Sequence, residues 1–364
     1  MNKSSKDVQS QLKICYFGSY DSKNAPRNQT LIDGLRQNNC DVIEFNLHGN
    51  LLRRLIATLI NLPKIKCDCI IVGALGNYDV PLAKIVSTVY SAPIIFDIYT
   101  PLYETAVVDR KTLDSNSFKA KWFFLVDKIS YLLTDLLLLD TKTHIKEFSE
   151  MYQVSNRKLK SILVGTDPTS FKPLKKVKKN KKFTVYFHGH FVPLQGTPVI
   201  VRAAKRLKNY PIDFVLLGVG QDKLFCKTYK EKYNLKNVKF LPTVSYKSLN
   251  RIAQQSHVFL AGPFGSSTKA QAVIPNKVYE AMAMKMPMIV GDTPAIREVL
   301  DEQDALLVKP NSATNLAEAI LVAHSQYKQM QNKAQRAYKK YLKQATPKKL
   351  GYELKLLVEE LTGS

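Results

Sequence analysis

The residues best suited to chemistry fall in one run, HVFLAGPFGSSTKAQAVIPNKVYEAMAMKMPMIVGDTPAIREVL, residues 257–300. It alternates strand-like and helix-like stretches. Pro275 fits the first turn of a helix, where its fixed φ is suitable and its missing N–H is not needed. Asn276 and Lys277 then lie in that turn, with Glu280 one turn further in. A helix start presents free N–H groups and a partial positive charge, which suit phosphate. Lys269 and Lys277 add full charges beside it. Glu280 can accept two hydrogen bonds from a ribose diol, as acidic residues do in other nucleotide-binding α/β units. The bland alternative is a solvated glutamate favoured by the helix dipole, with solvated lysines around it.

The first half holds a second set. FGSYDSKNAPRNQT follows a strand-like run; its Gly18 lets backbone approach a ligand, and Arg27 could reach a phosphate or an acceptor. It has no full Gly-x-Gly-x-x-Gly, which argues against ordinary dinucleotide binding. FDIYTPLYETAVVDRKTLDSNS (96–117) is polar and rich in paired charges. Asp97, Glu104 and Asp109 are its candidate catalytic acids, with Arg110 on the acceptor side. Asp140 ends another apolar run at a cleft position. A structural ion-pair network is the competing reading for all of these. No Asp-x-Asp triplet is present, so no metal and no cofactor is expected.

The elements that must hold these residues follow a βα rhythm. KICYFG (13–18), DVIEFNL (41–47), CDCIIVGA (67–74), PIIFDI (93–98) and DLLLLD (135–140) read as buried strands separated by helical patterns. The rhythm restarts with FTVYFHG (183–189) and continues through DFVLLG, VKFLP, HVFLAG, MPMIVG and ALLVK. Near-continuous apolar strands alternating with helices imply parallel sheets covered on both faces. The expectation is an α/β chain of two doubly wound, Rossmann-like domains facing each other, with ligands at the carboxyl ends of the strands. The domains are read as 1–170 and 183–343. A basic linker (171–182) joins them, and a terminal helix (344–364) packs back on the first.

Bulk properties agree with that size: 364 residues at 45% hydrophobic suit two cores. The N-terminus is polar, and the run Trp122–Leu139 is interrupted by Asp127, Lys128 and Asp135, so neither a signal peptide nor a spanning helix is expected. Five cysteines, odd in number, fit a reduced cytoplasmic setting. The net charge of +24 is uneven. Residues 1–170 carry 21 Lys+Arg against 17 Asp+Glu (+4), leaving 33 against 13 (+20) beyond them. A lysine-rich surface explains this as readily as attraction to an anionic membrane, on whose inner face the protein would then be peripheral. The Leu51–Ile60 stripe has helical spacing and could either pack on the sheet or dip into that interface. No nucleic-acid motif is visible.

The run IPNKVYEAMAMKMPMIVGDTPAIREV resembles the donor-binding signature of the family-4 retaining glycosyltransferases, which have the two-domain GT-B architecture. YFHGHFVPLQG and LLGVGQD fall where that family expects them. The resemblance implies metal-independent transfer of a sugar from a UDP- or GDP-type donor to a glycan or lipid-linked glycan. It places the donor against His190, Gln195, Gly196, Lys269, Asn276, Lys277, Val278 and Glu280. Two features depart from the pattern. Ala272 stands where many members carry the first Glu of Glu-x7-Glu, and His190 and Gln195 stand where an Arg and a Lys clamp the diphosphate. A GT-B sugar-nucleotide epimerase, a non-catalytic nucleotide-sugar-binding protein and a nicotinamide-dependent oxidoreductase remain as alternatives.

Overall fold

The computed structural model describes residues 11–20 and 26–363. The polar N-terminal segment and part of the loop before Arg27 lie outside the described residues. Six parallel strands form the first sheet: β1 (Lys13–Gly18), β2 (Asp41–Asn46), β3 (Cys69–Val72), β4 (Ile94–Asp97), β5 (Leu136–Leu139) and β6 (Leu159–Ser161), in the order β2-β1-β3-β4-β5-β6. Its helices are α1 (Pro26–Gln37), α2 (Leu51–Asn61), α3 (Val80–Tyr90), α4 (Phe118–Leu133) and α5 (Lys142–Tyr152).

The second sheet contains β7 (Phe183–His188), β8 (Ile212–Leu217), β9 (Val238–Leu241), β10 (Val258–Gly262), β11 (Met288–Gly291) and β12 (Leu306–Val308), in the order β12-β11-β10-β7-β8-β9. Around it run α6 (Thr197–Arg206), α7 (Lys223–Lys232), α8 (Tyr246–Gln255), α9 (Thr268–Ala272), α10 (Asn276–Ala283), α11 (Pro294–Arg297) and α12 (Ala313–Ser325). Then come α13 (Tyr327–Gln344) and α14 (Pro347–Thr362). All pairings are parallel. Two facing units of this kind are the GT-B architecture.

Each sheet is buried on both faces, which is why LLLL and IIFD carry no polar alternation. On one face of the first sheet Val72, Phe96 and Leu137 pack with Val86, Tyr131 and Phe148 from α3, α4 and α5. On the other, Ile71, Ile95 and Leu138 pack with Leu31 and Leu35 of α1 and with Leu350, Leu354 and Val358 of α14. The terminal helix thus completes the core of the first domain. It gets there by way of α13, whose Ala337 and Tyr341 pack in the core of the second domain, and the Tyr341 hydroxyl donates to the Thr166 carbonyl at 2.9 Å.

Several stretches differ from the sequence reading. The stretch after residue 313 is not one helix but two that divide at Gln326, and α14 begins at Pro347. The lysine-rich run 172–182 holds no helix or strand and is fastened to the second domain. There Gln254 accepts from Leu174 N at 2.9 Å and donates to the Lys172 carbonyl at 2.8 Å. Within the polar segment after β4, Glu104–Asp109 forms a π-helical turn.

Helices α1 and α14 cross at Gly34 and Gly351. A Cβ on Gly34 would stand 2.9 Å from Gly351 Cα, and one on Gly351 would overlap the Gly34 backbone. Gly351→Val should therefore destabilise the protein by about 1–3 kcal/mol through overpacking. Urea unfolding followed by circular dichroism reads this directly, and an unchanged midpoint would show that the two helices do not meet here.

Candidate functional site

The carboxyl ends of the two sheets border a cleft of about 610 Å³. That is within the range of small-molecule sites. In the second sheet the strand order reverses between β7 and β10, and ligands bind at such reversals because the following loops part there. Beyond β7 the chain runs His188-Gly189-His190, and beyond β10 it leads through α9 to α10. Gly189 has φ +136°, and a Cβ on it would sit 2.9 Å from Lys277 Nζ. Glycine is needed here to let the lysine reach the loop.

Helix α10 supplies the two most informative side chains. Lys277 is buried, its Nζ lies 5.3 Å from the centre of the Phe187 ring, and among the described residues it has no ion-pair partner. Burial draws its pKa down to about 8, an effect that Glu280 opposes. Glu280 is 5% exposed, and His188 Nε2 approaches its Oε2 at 2.8 Å. That contact is not an aligned hydrogen bond, and Oε2 has no hydrogen-bond donor among the described residues. A cation without a counter-ion and a carboxylate oxygen without a donor thus stand on one short helix beside a cavity. Gln195 Oε1 and His188 Nδ1 are also buried without partners. Gly196, at φ +62°, makes the turn into α6, where a Cβ would overlap Phe264 and Gly265.

His190 is exposed at the cleft, and burial, Lys277 and Arg110 lower its pKa in that order. Facing it from the first domain are Tyr99, Thr105, Asp109 and Arg110. The Tyr99 hydroxyl donates to Asn276 Oδ1 at 3.1 Å, and Asp109 accepts from the Ser267 hydroxyl at 2.9 Å. Burial raises the Asp109 pKa. A further wall is made by Leu217, Gly218, Val219, Thr243, Val244 and Leu249.

The other sequence-predicted residues are engaged elsewhere. Arg27 is buried with its Nε 2.9 and 2.7 Å from the two Asp97 oxygens, and its Nη1 donates to the Ile162 carbonyl at 3.0 Å. Neither Arg27 nor Asp97 lines the cleft, so both are corrected to a structural pair of the first domain. Val278 is also corrected, because its side chain is in the hydrophobic core and its N–H bonds the Pro275 carbonyl. Gly18, at φ +137°, packs against Asp79 rather than the cleft.

Glu104, Asp140 and Lys269 form the seam between the domains. Lys269 Nζ donates to Thr105 Oγ1 at 3.0 Å and stands 3.3 Å from Glu104, which stands 3.4 Å from His144 Nε2. His144 Nδ1 is 2.7 Å from Asp140, whose other oxygen accepts from Ile274 N at 3.3 Å. Asp140 and Glu104 are thus positioned away from the cleft lining, whereas Lys269 borders it. Sequence reasoning missed His188, Tyr99 and the Thr243–Leu249 wall; the only signal for the wall was its place after a strand.

Residues 169–340 match the family model of glycosyl transferases group 1. The match takes in the second domain and just under half of the chain. A stretch of 105 residues is 29% identical to WcaI of Escherichia coli K12, named for colanic acid biosynthesis glycosyl transfer. It covers 29% of this chain and only 25% of that protein. Among solved structures, a sucrose-phosphate synthase from Thermosynechococcus elongatus superposes with a TM-score of 0.77 at 14% identity, over 97% of this chain and 100% of the other. Anabaena HepE, solved with UDP-glucose, gives a TM-score of 0.73 at 13% identity, over 96% and 100%. At these identities the likeness is one of fold. The group 1 match takes in the cleft residues from His188 to Glu280.

The seam and the cleft titrate differently. Burial lowers the His144 pKa, but Glu104 and Asp140 outweigh it and raise it to about 9. With the folded pKa above the unfolded 6.5, this contribution is full below pH 6.5 and is lost as pH rises through 9. Stability should fall by up to about 3 kcal/mol over that window. Denaturant midpoints across the window check it, and His144→Gln should flatten the slope.

Lys277 gives the opposite kind of test, in binding rather than stability. Its depressed pKa means that a bound anion must restore the proton. Between about pH 8 and 10, a phosphate-type anion such as pyrophosphate should bind with net proton uptake and weaken by up to about tenfold per pH unit. Titration calorimetry in two buffers of different ionisation heat measures the uptake, which Lys277→Met should abolish.

Proposed function

We propose that the chain is a metal-independent, retaining glycosyltransferase that moves a sugar from a UDP- or GDP-type donor to a glycan or lipid-linked glycan, in the synthesis of a surface polysaccharide or glycoconjugate. The observation that carries this reading is the pairing of Lys277, without a counter-ion, and Glu280 Oε2, without a donor, on the first turns of α10. A nucleoside diphosphate satisfies both: its phosphates neutralise the ammonium and the helix start, and its ribose hydroxyls donate to the carboxylate. The apolar wall of Leu217, Val219 and Leu249 suits the base. UDP-glucose bound to the similarly folded HepE agrees with a nucleotide-sugar donor. No cofactor is called for.

In the proposed reaction the bond between the sugar C1 and the diphosphate oxygen breaks, while the acceptor hydroxyl bonds to C1 from the same face. The hydroxyl proton passes to the departing diphosphate. Lys277, His190, Arg110 and the α10 amides face the growing negative charge, so electrostatic preorganisation replaces a metal ion. Asp109 is the cleft carboxyl best placed to orient an acceptor hydroxyl, because it lines the first-domain wall. Among the described residues no helix is long and apolar enough to cross a membrane.

Glu280→Gln tests the assignment. It keeps the size but removes acceptor capacity and charge, and loss of charge-assisted bonds worth roughly 1.5–3 kcal/mol should lower kcat/KM by about 10–200-fold. A 2′-deoxy donor should be poor for the parent and penalised much less in the variant. A variant that keeps parental activity and still rejects the deoxy donor would remove Glu280 from the ribose. Product formation that needs no acceptor would favour the epimerase reading.

A further inference from the structure

We propose that the outer face of the α2–α3–α4 layer is a docking surface for an anionic phospholipid bilayer. Helix α3 packs between α2 and α4 on one side of the first sheet. The inner side of α4 (Ala120, Val126, Asp127, Ser130, Tyr131) is buried. Its outer side carries Phe118, Trp122, Leu125, Ile129 and Leu132, which are 85%, 46%, 46%, 39% and 71% exposed. The 4-3-4-3 spacing aligns them in one stripe along the whole helix. Helix α2 shows a second one, with Leu51, Leu52, Ile56, Leu59 and Ile60 all exposed, and Val89 of α3 lies exposed as well. Among the described residues no segment of the chain covers these stripes.

Charge decides the occupant. The three helices carry Arg53, Lys84, Lys119, Lys121 and Lys128 without an ion pair among the described residues, while Arg54 is spent on the buried Asp79 at 2.7 Å, and the helices' one acid, Asp127, is fully buried. Apolar stripes with an aromatic residue, flanked by basic residues and with no exposed acid within the helices themselves, match a layer of acyl chains beneath anionic headgroups. A second copy of this face would bring like charges together without a compensating acid. The C-terminal lysines, where the chain's excess charge is greatest, lack such apolar stripes.

The proposal does not depend on catalysis, although placing a lipid-linked acceptor near the cleft rests on the glycosyl-transfer reading. Trp122 is the only tryptophan in the chain, so its fluorescence reports the face directly. Phosphatidylcholine vesicles containing phosphatidylglycerol should shift its emission to the blue, and brominated acyl chains should quench it. Phosphatidylcholine alone should do neither. Leu125→Glu with Ile129→Glu, or Lys121→Glu with Lys128→Glu, should weaken vesicle binding by about tenfold or more without changing the thermal midpoint. Lys175→Gln, Lys176→Gln and Lys178→Gln together should leave it unchanged. Three results would overturn the proposal: an unshifted Trp122 with anionic vesicles, binding lost only in the linker variant, or a lipid-free dimer in which Trp122 is already shielded. None of them bears on whether sugar transfer occurs.

Discussion

The geometry of the cleft depends on a buried line of charge across the domain seam. Lys269 meets Glu104, Glu104 meets His144, His144 meets Asp140, and Asp140 receives the Ile274 amide immediately before α10. Burial would favour neutral groups, yet Lys269 and His144 hold Glu104 at about 2 while the acids hold His144 at about 9. Two cations and two anions therefore balance where water is excluded. Such a line contributes little net stability, since desolvation offsets most of the attraction, but leaving one member alone is costly. Its consequence is register: other docking angles of the domains would strand a buried charge. Further hydrogen bonds reinforce it, with Thr141 donating to the Ala272 carbonyl at 2.5 Å and the Glu298 carboxylate accepting from the Lys142 and Thr143 amides at 2.9 and 2.8 Å.

Register at Ile274 fixes the start of α10 two residues later. The Tyr99 hydroxyl then reaches Asn276, and Lys277 and Glu280 point toward the loop after β7. Lys277 has no counter-ion there, and Glu280 Oε2 has the close His188 ring but no aligned hydrogen-bond donor. A protein interior rarely tolerates an ammonium without an anion or a carboxylate oxygen without a donor, because each forfeits its hydration. The seam holds them in place regardless, so the cleft is preorganised for a ligand that carries negative charge at one end and donors a helical turn away.

Much of this was legible in the sequence. Continuous apolar runs marked most strands of both sheets, and Pro275 marked the start of the helix that carries Lys277 and Glu280. What escaped were relations between distant positions. Arg27 finds Asp97 across 70 residues and Lys269 finds Glu104 across 165, and no local spacing encodes either pair. Strand β6 was missed because LKS has only three residues and one buried side chain. The outer stripe of α4 was hidden for another reason: with both faces apolar, the helix has no clear polar side, and its periodicity fades into one interrupted hydrophobic run.

Arg27, Lys269 and Lys277 look alike in sequence, each a basic residue beside a loop that ends a strand or begins a helix. Their fates differ according to what is buried with them. Arg27 is given an aspartate within its own domain, and Lys269 a glutamate from the other domain, so the charge of each is spent on architecture. Lys277 is given an aromatic ring and a glycine, which shape its path but cannot neutralise it. Glu280 lies on the same helix and opposes the fall in the Lys277 pKa, but the two do not form an ion pair, and Glu280 is approached by His188 instead. The charge that the fold leaves uncompensated is therefore the one that an incoming anion must meet.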